Sequence, residues 1–477
     1  MKKVKRLLAL TIALSSVLSV TACGDKDSSG DSKADVSNLN ESQAAAVEKA
    51  RDSLPKVTLE NTNIKWLAHY DINPGNGQVE PADLHLFKEA YGGTIEFIQT
   101  TYGERYNTLA KLVLDGNAPD FFPADDMDTF PKGAIENMFQ PIDDYVDVNS
   151  DLWKDQKASL DQFSLGGKHY VAVVQTTPNY ICVYNRNTID KMGVTDPAEL
   201  FADGKWTLDK FQEYCEDFTN ADEDKYGVDG YWYVYALEET CGVPFIGIKD
   251  GKIVSNVSDP AIEKIQNFMY DFQKNSLCYP RATNNWQTRG AGETGNGIGS
   301  GLTLFVPVGI WALENSPDNT KLFGDMAAGD IMFVPMPKDK DSDTYYMSSR
   351  VNGYNICKGA PNPQGVAAYL NCKRVALLDD GVSAISTEQL KDQYKWSDDM
   401  IAMRETVYQM AAEHPVFEFS SGVSKDMDSQ MLSLSQATMM TDGQATTWTE
   451  ARTSYEKAIQ WLVDDANAKL EANAAAK

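Results

Sequence analysis

The segment from Asn63 to Gln99 limits the fold more than any other stretch. Asn63-Ile-Lys-Trp-Leu-Ala-His69 is apolar and β-prone, residues 80–91 have helical spacing and end in Gly92-Gly93, and Thr94-Ile-Glu-Phe-Ile-Gln99 is β-prone again. A strand, a glycine-closed helix and a second strand form a crossover unit, which sets the two strands parallel and covers a sheet face with helix. The theme continues with a helix over 106–115, stopped by Gly116, and a short strand at Pro119-Asp-Phe-Phe122. Two β-rich stretches, His169–Val174 and Tyr180–Tyr184, are separated by Thr176-Thr-Pro178, and a helix runs from Thr207, whose hydroxyl can cap it, to about Thr219. Later segments predict a helix over Pro260–Lys274, strands at Gly301–Val308, Ile331–Val334 and Gly353–Cys357, a helix over Pro363–Leu378 and a helical C-terminal region. No repeat of 20–50 residues is present. The class is α/β, with a change of segment near residue 175, and 477 residues suffice for two or three domains.

The N-terminus carries a different message. Met1-Lys-Lys-Val-Lys-Arg6 is basic, Leu7–Val20 is apolar or small, and Val20-Thr-Ala-Cys23 ends the run. This is an export signal, too short to be a membrane span. Gly24 to about Asn40 is Asp, Ser, Gly and Lys with few apolar side chains, a composition that does not offset its ordering entropy, so it reads as a flexible tether. Residues 41–53 are helix-prone, and Pro55 stops them.

Charge and residue counts exclude several functions. Sixty-nine acidic against 43 basic side chains give a net charge of −26, and loss of Lys2, Lys3, Lys5 and Arg6 with the signal takes it to −30. Such a chain is repelled by nucleic-acid phosphates. His69, His85, His169 and His414 show no metal-ligand spacing, and the six cysteines after Cys23 form no C-x-x-C pair, so zinc and redox motifs are missing while disulfides stay open. Gly290-Ala-Gly-Glu-Thr-Gly295 fits G-x-G-x-x-G but follows polar residues instead of an apolar strand, which argues for a surface loop over a dinucleotide site. Asn220 with Asp222-Glu-Asp224 echoes a calcium loop, but Lys225 stands where the glycine belongs and the closing glutamate is missing. No cofactor and no metal is expected.

Several segments together resemble the extracellular solute-binding proteins, family 1, the carbohydrate-binding lipoproteins of ABC importers. These are Gly116-Asn-Ala-Pro-Asp-Phe-Phe122, Phe139-Gln-Pro-Ile-Asp-Asp-Tyr145, Gly167-Lys-His-Tyr-Val-Ala-Val173 followed by Val183-Tyr-Asn-Arg186, and Met192-Gly193 with Pro197 and Trp206-Thr-Leu-Asp209. Tyr226-Gly227, Phe305-Val-Pro-Val-Gly-Ile-Trp311, Phe333-Val-Pro-Met-Pro-Lys338 and Gly353-Tyr-Asn-Ile-Cys-Lys358 follow in the family's order, covering most of residues 60–470. The chain departs from the pattern at Val173-Val174, where a proline is usual, and in the Gly-rich stretch 290–301. Val20–Cys23 is similar to a lipobox, which implies that Cys23 becomes the lipidated first residue.

The resemblance implies a two-lobed periplasmic-binding-protein-like fold of type II, each lobe a mixed sheet flanked by helices, joined by hinge crossings. It implies a signal over 1–22, a tether and linker helix over 23–55, lobe 1 from 56–174 plus about 303–360, and lobe 2 from 175–302 plus about 361–470. The expected function is capture of a carbohydrate, an oligosaccharide, between the lobes, without enzymatic activity, by a monomer that is lipid-anchored outside the cytoplasm and delivers to ABC permease subunits. The implied ligand contacts are Tyr70 and Asp71 (beside His69), Asp125, Asp126, Gln175, Tyr180, Trp232, Trp286, Trp311, Arg350 and Asn352. Sugar rings need flat apolar faces for their C–H groups and carboxylates or amides for their hydroxyls, which these residue types supply. Trp448 reads as a helix-start residue outside the site. Two alternatives stand beside this reading: a surface glycosidase or lyase using paired carboxylates, and the same fold holding a peptide or polyamine.

Overall fold

The computed structural model describes residues 39–75, 80–280, 297–314, 320–440 and 443–475. The export signal, Cys23, most of the tether, Trp286 and Gly290–Gly295 lie outside them. In chain order the strands are β1 (Asn63–Ala68), β2 (Thr94–Gln99), β3 (Phe121–Pro123), β4 (Phe139–Gln140), β5 (Ser164–Leu165), β6 (Lys168–His169), β7 (Ala172–Pro178) and β8 (Ile181–Asn185). They continue as β9 (Tyr226–Val228), β10 (Ile246–Lys249), β11 (Lys252–Ser255), β12 (Thr303–Val308), β13 (Ile331–Val334), β14 (Met347–Cys357) and β15 (Pro415–Val416).

The strand, helix and strand from Asn63 to Gln99 form the parallel unit that the sequence requires: β1 and β2 pair from Asn63↔Thr94 to Ala68↔Gln99. The intervening helix, Ala82–Tyr91, buries Leu84, Leu86 and Phe87. Its two closing glycines do separate work. Gly92 takes the left-handed cap at φ 65°, and a Cβ on Gly93 would lie 2.3 Å from the Phe87 ring. Outward from this unit the first sheet runs β15-β14-β3-β1-β2, with β4 and β7 also paired to β14. Trp66 on β1 packs against Phe121 on β3 at 4.6 Å and against Tyr354 on β14 at 5.7 Å, all three fully buried or nearly so. Each such side chain contributes about 1.5–3 kcal/mol by leaving water. On the other side the helix Pro363–Leu378 brings Tyr369 and Lys373 to Asp83, which accepts hydrogen bonds from both at 2.9 and 2.8 Å.

The second sheet has the order β13-β8-β12-β9 and its own core, in which Trp206 meets Phe305 at 5.5 Å and donates its indole N–H to the Pro335 carbonyl. Thr207 caps the helix Leu208–Phe218 through the Lys210 N–H, as its position before an amphipathic run predicts. The chain passes between sheets at Pro178–Ile181, where β7 gives way to β8, and again between β13 and β14.

These passages correct the expected lobe boundaries. Residues 303–334 do not join lobe 1: β12 and β13 both pair with β8 in the second sheet. Nor does 361–470 form lobe 2. The helix Pro363–Leu378 and the later helices Lys425–Ala437 and Trp448–Ala475 pack into the first core, and between them Leu390, Trp396 and the helix Asp398–Glu413 bury side chains in the second. Sequence order shows where elements lie but not which sheet a strand enters, because pairing is decided by contacts far apart in the chain. Thr176-Thr-Pro178 is not a break either. β7 runs through it, and Pro178 takes the last position opposite Ser349, where its missing N–H is tolerated.

The six described cysteines, Cys182, Cys215, Cys241, Cys278, Cys357 and Cys372, are free, and all but Cys241 are buried. Among the described residues no helix is long and apolar enough to cross a membrane.

Candidate functional site

Strand direction sets the site. β1, β2 and β3 are parallel, so His69-Tyr70, the loop from Thr100 to Glu104, and Asp125-Asp126 all leave the same edge of the first sheet. In the second sheet β9 and β12 are parallel, so Tyr231-Trp232 and Gly309–Trp311 likewise share an edge. Val308, the end of β12, lies opposite Ile181, one residue past Tyr180 in the β7–β8 passage. Both carboxyl edges therefore open toward that passage, the place where an open α/β sheet presents a crevice.

A cavity of about 220 Å³ lies there. Asp126, Asn179, Tyr180 and Arg350 line it from the strands and the passage, Tyr235, Glu238 and Glu239 from the helix Tyr233–Glu238 and the turn after it, and Phe245, Glu418 and Met431 close the far wall. Arg350 is the one cation in that wall among the described residues. Tyr70 donates its hydroxyl to Asp125 at 3.0 Å, and Asp125 sits just behind Asp126. Burial raises the Asp125 carboxyl to about 7, the neighbouring Asp126 adds to the rise, and the Tyr70 hydroxyl and Arg350 oppose it. Burial likewise lifts Glu239 to about 8 against the pull of the Ser348 hydroxyl and Arg350. Glu418 is raised to about 7 by burial and held by the backbone N–H groups of Ser420, Ile246 and Phe245. Glu238 is buried beside it, accepting from the Gln266 amide at 2.6 Å, and its carboxyl also moves upward through burial.

The second sheet supplies aromatic faces at the edge. Tyr231 and Trp311 are 44% and 48% exposed, large values for such rings, and Trp232 sits edge-on between them at 5.7 and 5.9 Å. Gly309 makes the placement of Trp311 possible: a Cβ there would fall 2.0 Å from the indole nitrogen. The combination of carboxylates, one guanidinium and an amide with exposed indole and phenol faces can hydrogen-bond vicinal hydroxyls while covering C–H surfaces.

Of the expected contacts, Asp126, Tyr180 and Arg350 line the cavity, Tyr70 and Asp125 are hydrogen-bonded to each other next to Asp126 in the chain, and Trp232 and Trp311 pack together at the edge of the second sheet, outside the cavity wall. The structure does not bring Asp71 to the cavity wall. That carboxylate is exposed and accepts from the N–H of Asn73 in a local turn. Gln175 and Asn352 are cross-strand partners in β7 and β14, 1% and 6% exposed, and sit within the sheet instead of lining the cavity. Trp286 lies outside the described residues. Trp448 begins the last helix and is fully buried.

Asn179, Tyr235, Glu238, Glu239 and Glu418 escaped the sequence reading. Signals existed: Glu238-Glu239 ends the apolar run Tyr233-Val-Tyr-Ala-Leu237, and Glu418 sits between Phe417 and Phe419. An acid inside an apolar run is either buried with partners or placed at a site.

Among the described residues no group of three or more His, Cys, Asp or Glu side chains is arranged to hold a metal ion. In the calcium-like loop, Asn220 accepts from the Asp222 N–H, and Lys225 pairs with Glu223 at 2.6 Å.

The model of the bacterial extracellular solute-binding proteins matches residues 84–374. No curated protein matches the chain. Among solved structures, the chain is similar to a cyclo/maltodextrin-binding protein complexed with maltotetraose (16% identity, TM-score 0.58, covering 88% of this chain and 98% of that one). It is similar to the GacH receptor of Streptomyces glaucescens, solved unliganded and with acarbose (16%, 0.57, 86% and 100%). It is also similar to the galacto-N-biose-/lacto-N-biose I-binding protein of the Bifidobacterium longum ABC transporter, in complex with lacto-N-biose (14%, 0.55, 86% and 99%).

Proposed function

The chain belongs to the bacterial extracellular solute-binding protein family, and we propose that it captures an oligosaccharide between its two lobes and delivers it to the permease of an ABC importer. The observation that carries this reading is the cavity at the β7–β8 passage, into which the first lobe contributes Asp126 and Arg350 and the second contributes Tyr235 and Glu239. A ligand there touches both lobes, so its binding energy favours whichever arrangement brings them together. Trp232 and Trp311 supply ring faces on the second sheet edge, and the similar proteins above were solved with maltotetraose, acarbose and lacto-N-biose.

The protein acts outside the cytoplasm, as its family does. In this reading it is a monomer, Cys23 carries the lipid that holds it to the membrane, and no cofactor takes part. It binds without turning over its ligand, a reading supported by its membership of a family of solute-binding proteins. Titration of the purified protein with a panel of mono- to tetrasaccharides, followed by tryptophan fluorescence, is expected to give saturable changes with no new reducing ends on long incubation. Release of reducing ends would overturn the binding role in favour of a glycosidase. Silence toward every sugar with saturable binding of a peptide or polyamine would overturn the ligand class.

A further inference from the structure

The loop after β2 holds a feature that the cavity alone does not explain. Tyr102 is 55% exposed, yet its ring is not loose. The Arg105 guanidinium lies 3.7 Å from the ring centroid on one face, and His69 meets the ring edge-on at 5.2 Å. Arg105 is itself 3% exposed and anchored: it donates to the Tyr102 carbonyl and to Asp128, and its Nη2 lies 3.5 Å from Asp126, a residue of the cavity wall. Asp128 is held in turn by the Tyr106 hydroxyl at 2.7 Å. An exposed aromatic ring fixed from behind by a buried cation presents one open face at little cost in side-chain entropy.

The position of that face follows from the sheet. β2 is parallel to β1 as far as Ala68↔Gln99, so the loop carrying Tyr102 leaves the same edge as His69 and Tyr70, beside the Asp125-Asp126 turn. We infer that Tyr102 is the stacking platform of an outer sugar subsite on the first lobe, occupied by a pyranose ring beyond the one held in the cavity. The inference rests on the carbohydrate reading above and sharpens it: the ligand is at least a disaccharide, and chain length is sensed at Tyr102. Arg105 acts as a positioning residue, because it fixes the ring and touches the cavity wall only through Asp126.

The test compares the unaltered full-length protein with Tyr102→Ala and Tyr102→Phe by isothermal titration with glucose, maltotetraose, galactose and β-1,6-galactobiose. Tyr102→Ala is expected to weaken the oligosaccharide that binds roughly tenfold while leaving the matching monosaccharide within about twofold, and Tyr102→Phe is expected to restore the oligosaccharide affinity. Because the side chain is largely exposed, the melting temperature should stay unchanged in both variants. Equal loss for mono- and oligosaccharide, or no loss in Tyr102→Ala, overturns the subsite while leaving the carbohydrate reading in place. Failure of the unaltered protein to bind any of the four overturns that reading and the subsite with it.

Discussion

Arg350 is the residue on which the cavity's electrostatics turn. Its guanidinium opposes the upward push that burial gives Asp125, Glu239 and Tyr180, and it faces the space a ligand would fill. A hydrogen bond from a charged group contributes about 1.5–3 kcal/mol. Arg350→Ala is therefore expected to weaken sugar binding by about 10- to 100-fold in calorimetric titration, and an unchanged affinity would remove it from the site. The buried acids make a second prediction. Asp125, Glu239 and Glu418 are raised to about 7, 8 and 7 in the folded chain, so the folded state binds more protons than the unfolded state between about pH 4 and 8. Their contribution is fully present below the unfolded carboxylate range and is lost as pH rises through the folded values. The ligand-free protein should melt higher at about pH 5.5 than at about pH 8.5, and Glu239→Gln should make the decline shallower. An identical slope in the variant would show that Glu239 ionises normally.

At the scale of elements, the link between helix Ala82–Tyr91 and helix Pro363–Leu378 is a buried ion pair, Asp83 with Lys373, at 2% and 6% side-chain exposure, completed by Tyr369. Removing one member of such a pair strands the other, a cost of about 3–5 kcal/mol, whereas replacing both with apolar residues is far milder. Lys373→Met should thus lower the urea midpoint strongly, and the double change Asp83→Leu with Lys373→Met should recover much of the loss. No recovery would mean that the contribution lies in packing instead of charge. The helices themselves were legible beforehand because their signals are local: Gly92-Gly93 as a stop, Thr207 as a cap, Pro260 and Pro363 as first-turn residues. β14 was legible only in part. Its segment from Gly353 onward is apolar enough to read as a strand, but Met347–Asn352 is polar, and it is strand because β7 lies alongside it.

For the whole molecule, the proposed anchor bears on charge: cleavage before Cys23 would take the net charge from −26 to −30, and a body so acidic would be held near a membrane by the proposed lipid and not by its surface. Cys23→Ala is expected to move the protein from the membrane fraction to the medium with sugar affinity unchanged, and retention at the membrane would point to a different anchor.

The sequence by itself determined the α/β class, the helix boundaries and the residues that follow the parallel strands, because caps, periodicity and apolar runs act within a few residues. Tertiary structure alone decided the rest. It placed β12 and β13 in the second sheet and the helices Pro363–Leu378, Lys425–Ala437 and Trp448–Ala475 on the first, set Asp71 in a local turn, kept Gln175 and Asn352 within the sheet, and brought Glu239 and Glu418, 179 residues apart, around one cavity. Strand pairing and cavity walls are made by contacts between distant segments, and no local pattern in the chain encodes which distant segment will be the partner.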